Sequence, residues 1–346
     1  MKKPMEKVSI NTNKKDNIRK MWFIVLGGLG LLAFIMMFST TKGAENIPLA
    51  SLWDALFHFN GKEMNHLVIL NLRIPRVIAS ALVGAALAVS GAIMQGTTGN
   101  PLADSGLLGL NAGAAFALSI CFAFFPGMKY IHIILFSFLG ATLGAVLVNG
   151  IASMKKGGQT PIRLVLAGAA VSTLLVAMSQ GIALYFNVAQ SIMFWTVGGV
   201  AGSNWEQVRI MLPWIIGGLI GSVVLSPYIS ILSLGQDVAK GLGINIKLVN
   251  LLSSLTVLIL VGASVSVVGS VGFVGLIVPH IARFFVGMDY KLIIPSTAVM
   301  GALLVVLADL GARTLNPPFE TPIGAIISLI GVPLFLNLAR RQRSAM

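Results

Sequence analysis

Charged groups inside apolar surroundings are where this chain could do chemistry. Leu72-Arg73-Ile74-Pro75-Arg76 opens an apolar run that closes at Gly99-Asn100-Pro101-Leu102-Ala103. Guanidiniums at a helix mouth can dock a soluble partner that carries carboxylates. A polar, proline-bearing turn at membrane depth can shape a pore. Further on, Leu307-Ala308-Asp309-Leu310-Gly311-Ala312-Arg313 sets a carboxylate and a guanidinium four residues apart, on one helical face. That spacing suits an internal ion pair. Catalytic patterns are missing. There is no G-x-x-x-x-G-K-[ST] phosphate loop, and none of His58, His66, His132 or His280 opens an H-E-x-x-H pair. No nucleophile–base set stands out, so an intramembrane enzyme is ranked low.

The elements that must position these groups are membrane helices. Of 346 residues 56% are hydrophobic and 10% charged, with mean hydropathy +0.90; soluble domains carry about 25% charge. A soluble fold could not coat this much apolar surface, so the expected fold is all-α and polytopic. At roughly 20 apolar residues per crossing, about ten spans are predicted, near 21–40, 75–96, 106–125, 131–153, 164–186, 206–226, 247–268, 272–286, 293–312 and 322–339. The eighth is short and carries Pro279, which predicts a broken or half helix there. Residues 1–20 form a basic tail, and 21–346 read as one transmembrane domain. The run Met21–Phe38 reads as a retained first span rather than a cleaved signal.

The net charge of +13 sits in tails and short loops, which argues for cytoplasmic retention of Lys and Arg and against nucleic acid. Lys155, Lys156, Lys240, Lys247, Arg340, Arg341 and Arg343 all favour cytoplasmic termini. Arg73, Arg76 and Arg313 then fall at external ends, against the bias, and need another reason. Cys121, the single cysteine, can form no internal disulfide. Glycine is abundant, at 38 residues, and is read mainly as helix-packing surface. Val83 to Ala92 echoes Val261 to Ser270, in spans two and seven; a five-span offset makes them antiparallel, as in an inverted repeat. Leu232 to Ile244 predicts a short amphipathic helix with a glycine stop, which could present an apolar ridge to a cytoplasmic partner. Deep acidic groups are scarce apart from Asp309. That scarcity argues against the rival class, an ion-coupled secondary carrier.

From about residue 65 to 340 the chain resembles the FecCD-type permease subunits of ATP-driven importers for ferric siderophores, haem and cobalamin. Five motifs in order carry the resemblance: Leu72-Arg73-Ile74-Pro75-Arg76; Asn100-Pro101-Leu102-Ala103; Gly272-Phe273-Val274-Gly275-Leu276-Ile277-Val278-Pro279-His280; Ala308-Asp309-Leu310-Gly311-Ala312-Arg313; and Pro322-Ile323-Gly324. The resemblance implies a type II importer architecture with ten helices per subunit in a bacterial cytoplasmic membrane. It also implies a second permease subunit (this chain again or a paralogue), two cytoplasmic ATP-binding subunits and an extracellular substrate-binding lipoprotein. The chain itself is then no enzyme and binds no cofactor or metal, and ATP is used by the partner.

On the same resemblance Arg73, Arg76 and Arg313 meet acidic residues of the binding protein. Asn100, Pro101 and Leu102 match a cytoplasmic gate, with Thr160 and Pro161 as a second gate. Gln236, Asp237, Ala239, Gly241, Leu242 and Gly243 match the segment that seats on the ATPase. Ferric siderophore is the expected cargo. The Lys- and Asn-rich tail points to a low-GC bacterium and so to a hydroxamate chelate, with haem or cobalamin as alternatives.

Overall fold

A computed structural model describes residues 12–43, 46–104, 106, 109–154, 161–269, 271–317 and 319–343. Its helices in chain order are α1 (Thr12–Thr41), α2 (Leu49–Phe57), α3 (Met64–Val68), α4 (Ile74–Thr98), α5 (Leu110–Phe124), α6 (Tyr130–Ser153), α7 (Pro161–Tyr185), α8 (Ala189–Gly198), α9 (Trp205–Leu232), α10 (Gln236–Gly241), α11 (Ile246–Val268), α12 (Val274–Val286), α13 (Tyr290–Thr314) and α14 (Ile323–Arg343). Among the described residues, seven helical runs are long and apolar enough to cross a bilayer, and α5, α12 and α14 add three shorter apolar helices. The predicted ten elements are present. Two short helices, α2 and α8, lie where no span was expected, and α9 runs past its predicted end.

The second span begins earlier than predicted. α3, a π-helical segment (Ile69–Arg73) and α4 form one run from Met64 to Thr98. Proline lacks an N–H and crowds the preceding turn, so an α-helix cannot pass through Pro75 unchanged. The wider π turn admits it. In that register the Ile74 N–H bonds to the Ile69 carbonyl, and Leu70 O would await the donor that Pro75 lacks. Trp205 Nε1 supplies it at 2.7 Å, fastening the start of α9 to the start of α4.

Pro279 does not break its helix. The break lies upstream, in the non-helical backbone at Gly269 and residues 271–273, where Phe273 takes φ 67°. A bulky side chain in that region is strained. α12 then runs through Pro279, whose missing N–H leaves the Gly275 carbonyl open. Gln95 Nε2 on α4 donates to that carbonyl at 3.1 Å. The repair makes a short, proline-containing helix dependent on its neighbour.

α4 is the centre of the bundle. In its run 83% of the central stretch is buried, against 67% in α11 and α13 and 17% in α1, which faces outward. With no hydrophobic effect between helices in lipid, close packing decides. Gly84 lies against the backbone of Gly301 on α13, and Gly91 against that of Gly275 on α12. A second seam joins Gly109 and Gly113 to Gly144 and Gly140, between α5 and α6. Cys121 is buried on α5.

The internal echo has a structural counterpart. The first turn of α4 (Arg76) and the last turn of α11 (Val267) line one cavity, so the two helices run antiparallel. Gly84 of α4 meets α13, the ninth apolar helix. Its counterpart Gly262 of α11 meets Phe138 of α6, the fourth. The packing repeats with the five-span offset read from the sequence.

Candidate functional site

The three singled-out arginines converge at one end of the bundle, and all three are buried, at 9%, 8% and 5% exposure for Arg73, Arg76 and Arg313. Their burial means that each is held by partners within the chain. Arg73 leaves the π segment and donates to the Thr40 carbonyl at 2.9 Å, closing the end of α1. Arg76 places Nε and Nη2 each 2.8 Å from Asp309 Oδ1. Its Nη1 donates to Glu320 Oε1 at 2.6 Å. Arg313 donates to Ser39 Oγ and, at 3.3 Å, to Lys42 O.

The predicted Asp309–Arg313 pair forms, with Asp309 Oδ2 facing Arg313 Nη2 at 3.1 Å, off hydrogen-bond alignment. Asp309 thus bridges two guanidiniums. It sits between them because α4 and α13 run antiparallel along their glycine contact, bringing the start of one to the end of the other. Arg76 is thus shared by two carboxylates, and Asp309 by two guanidiniums.

A cavity of about 920 Å³ adjoins this cluster. Arg76, Asp309, Glu320, Gln190, Trp195 and Gln207 are among the residues that line it. α8, which the sequence reading passed over, supplies Gln190 and Trp195; Trp195 Nε1 donates to Ser266 O at 3.1 Å and holds α8 against the end of α11. Lone tryptophans and glutamines between apolar runs gave no pattern to detect. Glu320 escaped notice because its partner lies 244 positions away.

The opposite end carries the turn. α4 stops at Thr98, and Gly99 enters the left-handed region at φ 63°. The Leu102 N–H donates to Asn100 Oδ1 at 3.0 Å, and the Ala103 N–H to Asn100 O at 3.1 Å. The side chain of Asn100 thereby locks a turn in which Pro101 fixes one dihedral. Pro161 starts α7, and Thr160 lies outside the described residues, as do Lys155 and Lys156.

Beside the turn is a polar cluster that sequence reading missed. Arg283 on α12 donates to Gln95 Oε1 and, at 3.2 Å, to Tyr290 Oη. Ser230 near the end of α9 donates to Asp289 Oδ1 at 2.8 Å and accepts from the Tyr290 N–H at 2.8 Å. The cluster joins α4, α9, α12 and α13 at the end from which α10 projects.

α10 itself has the expected shape. Ala239 is fully buried, packing with Leu232 and Val249. Leu234, Val238 and Leu242 are exposed at four-residue spacing and form an apolar ridge. Asp237 and Lys240 are exposed and pair loosely at 3.7 Å. Gln236 and Gly241 are also exposed, and Gly243 at φ 75° ends the turn. Among the described residues no group of three or more His, Cys, Asp or Glu side chains is placed to hold a metal ion.

Known proteins resemble this chain. Residues 31–341 match the FecCD transport family. Over 320 residues, 92% of this chain and 83% of the relative, the sequence is 50% identical to the iron(3+)-hydroxamate import system permease protein FhuB of Bacillus subtilis. It is 39% identical to the Fe(3+)-citrate import system permease protein YfmD of the same organism, covering 96% and 98% of the two chains. It is 35% identical to the hemin transport system permease protein HmuU of Yersinia pestis, covering 90% and 94%. Among solved structures, the inward-facing conformation of a metal-chelate type ABC transporter superposes with a TM-score of 0.78 at 29% identity, covering 92% of this chain and 99% of the other. The chain belongs to the FecCD transport family and is a multi-pass membrane permease of an ABC importer.

Proposed function

We propose that the chain conducts a ferric hydroxamate siderophore inward across a bacterial cytoplasmic membrane. The carrying observation is the 50% identity, over 92% of the chain, to a permease named for iron(3+)-hydroxamate import, against 39% and 35% to the citrate and hemin permeases. The test is uptake of labelled chelates by cells carrying the importer. Ferric trihydroxamate is expected to enter, with ferric citrate and haemin far slower. Preferred uptake of citrate or haemin would replace the reading.

The remaining assignments follow the same reading. The binding protein docks at the arginine end, which faces outward, and both termini are cytoplasmic. Separate ATP-binding subunits sit on the ridge of α10 and burn the ATP. A second permease subunit completes the pathway. The Asn100–Pro101–Leu102 turn gates the inner end, together with the Thr160–Pro161 region.

α10 offers a sharp test. Proline inside a helix costs about 3 kcal/mol, and residue 241 lies in the last turn of a six-residue helix. Gly241→Pro should unwind that turn and turn the Val238–Leu242 ridge away. The expected outcome is a folded permease whose ATPase no longer responds to loaded binding protein. Undiminished stimulation in the reconstituted variant would show that α10 does not transmit movement.

A further inference from the structure

Arg76 holds two carboxylates of unlike character. Asp309 is 1% exposed and wedged between two guanidiniums, so it is a fixed part of the fold. Glu320 is 43% exposed and sits in the connection from α13 to α14. It meets the Nη1 edge of Arg76 from the solvent and cavity side. Beside it the Thr321 N–H donates to Ala312 O at 3.0 Å, fastening the connection to α13. Thr321, Pro322 and Ile323, which follow directly, form part of the cavity wall and lead into α14.

We propose that Glu320 is an internal occupant of the docking site, holding the place of a carboxylate from the acidic face of the binding protein and giving it up when that face arrives. The inference rests on the docking role of Arg76 proposed above. The physical case is competition for one donor edge. Nε and Nη2 of Arg76 are committed to buried Asp309, so Nη1 is the edge an incoming carboxylate can reach, and Glu320 already holds it. A tethered carboxylate competes at an effective concentration in the millimolar range, which a single weak encounter cannot match. A face presenting several carboxylates at once to this end of the bundle can. Displacement also releases the segment that walls the cavity, so arrival of the partner and reshaping of the cavity become one equilibrium. A ligand shifts such an equilibrium only through its differential affinity for the two states; the freed Arg76 edge supplies that difference.

The test uses the assembled transporter, with its ATP-binding subunits, in lipid nanodiscs, titrated with its loaded binding protein. Glu320→Gln keeps the side-chain shape and removes the charge; Glu320→Ala removes the competitor altogether. Both are expected to bind the partner about tenfold more tightly, near the weight of one charge-assisted hydrogen bond. Both should also raise ATP hydrolysis at sub-saturating partner. Affinity equal to or weaker than the parent in both variants overturns the proposal, since Glu320 is then a structural tie. Arg76→Gln separates this failure from that of the docking reading. Parent-like affinity in Arg76→Gln removes the docking role itself, whereas weakened affinity there with unchanged affinity in both Glu320 variants removes only the internal occupant.

Discussion

Asp309→Asn is expected to destabilise the folded chain by about 3–5 kcal/mol, the usual loss when one partner of a buried ion pair is removed. Asparagine keeps the shape, so the change isolates charge. Arg76 would retain Glu320, but Arg313 would keep only Ser39 Oγ and the Lys42 carbonyl. A guanidinium 5% exposed, with neutral acceptors alone, is poorly compensated. Thermal unfolding of the purified variant in detergent reads the loss directly, and adding Arg313→Gln should recover part of it, because the two sites share one interaction. A parent-like melting temperature for Asp309→Asn would mean that the carboxylate contributes nothing to the fold. The same geometry changes how docking must be probed. Reversing Arg76 to glutamate would set a new carboxylate beside Asp309 and Glu320 and damage the fold, so neutral Arg76→Gln is the interpretable change.

Gly91→Val should be at least as severe. A Cβ at position 91 would fall on the backbone of Gly275, which has no side chain to swing away. Ordinary overpacking costs about 1–3 kcal/mol when neighbouring side chains can yield; here α4 and α12 must separate as whole helices. Separation would also pull Gln95 from the Gly275 carbonyl, to which Pro279 offers no N–H. Little folded protein is expected in the membrane, measured by fluorescence-detected size exclusion. Gly27→Val, on lipid-facing α1 with nothing near its Cβ position, serves as the tolerated control. Equal yields of the two variants would refute the close α4–α12 contact.

Much of the architecture was readable in the residue order, because a bilayer demands long apolar runs and tolerates few exceptions. The ten apolar elements, the Asp309–Arg313 spacing, the glycine-stopped α10 and the antiparallel echo of spans two and seven all rest on local periodicity, and each is present. The misses have one physical cause, which is that their partners are remote in the chain. Nothing near Pro75 announces that Trp205 will satisfy the Leu70 carbonyl. Nothing near Pro279 points to Gln95 as its remedy; the short eighth helix was expected, but not that its interruption lies before Val274 rather than at the proline. The further partners of the arginines, Thr40, Ser39 and Glu320, come from both ends of the sequence and carried no local signal. α8 carries no strong periodicity of its own and is held in place by Trp195.

Cys121 has a practical consequence. It is the single thiol in the sequence and is 2% exposed on α5, screened from water-soluble alkylating reagents. The natural chain therefore serves as a silent background for site-directed labelling. A cysteine introduced at Leu102 or Val238 would carry the only reactive sulfur, and a spin label or fluorophore there would report that position without interference.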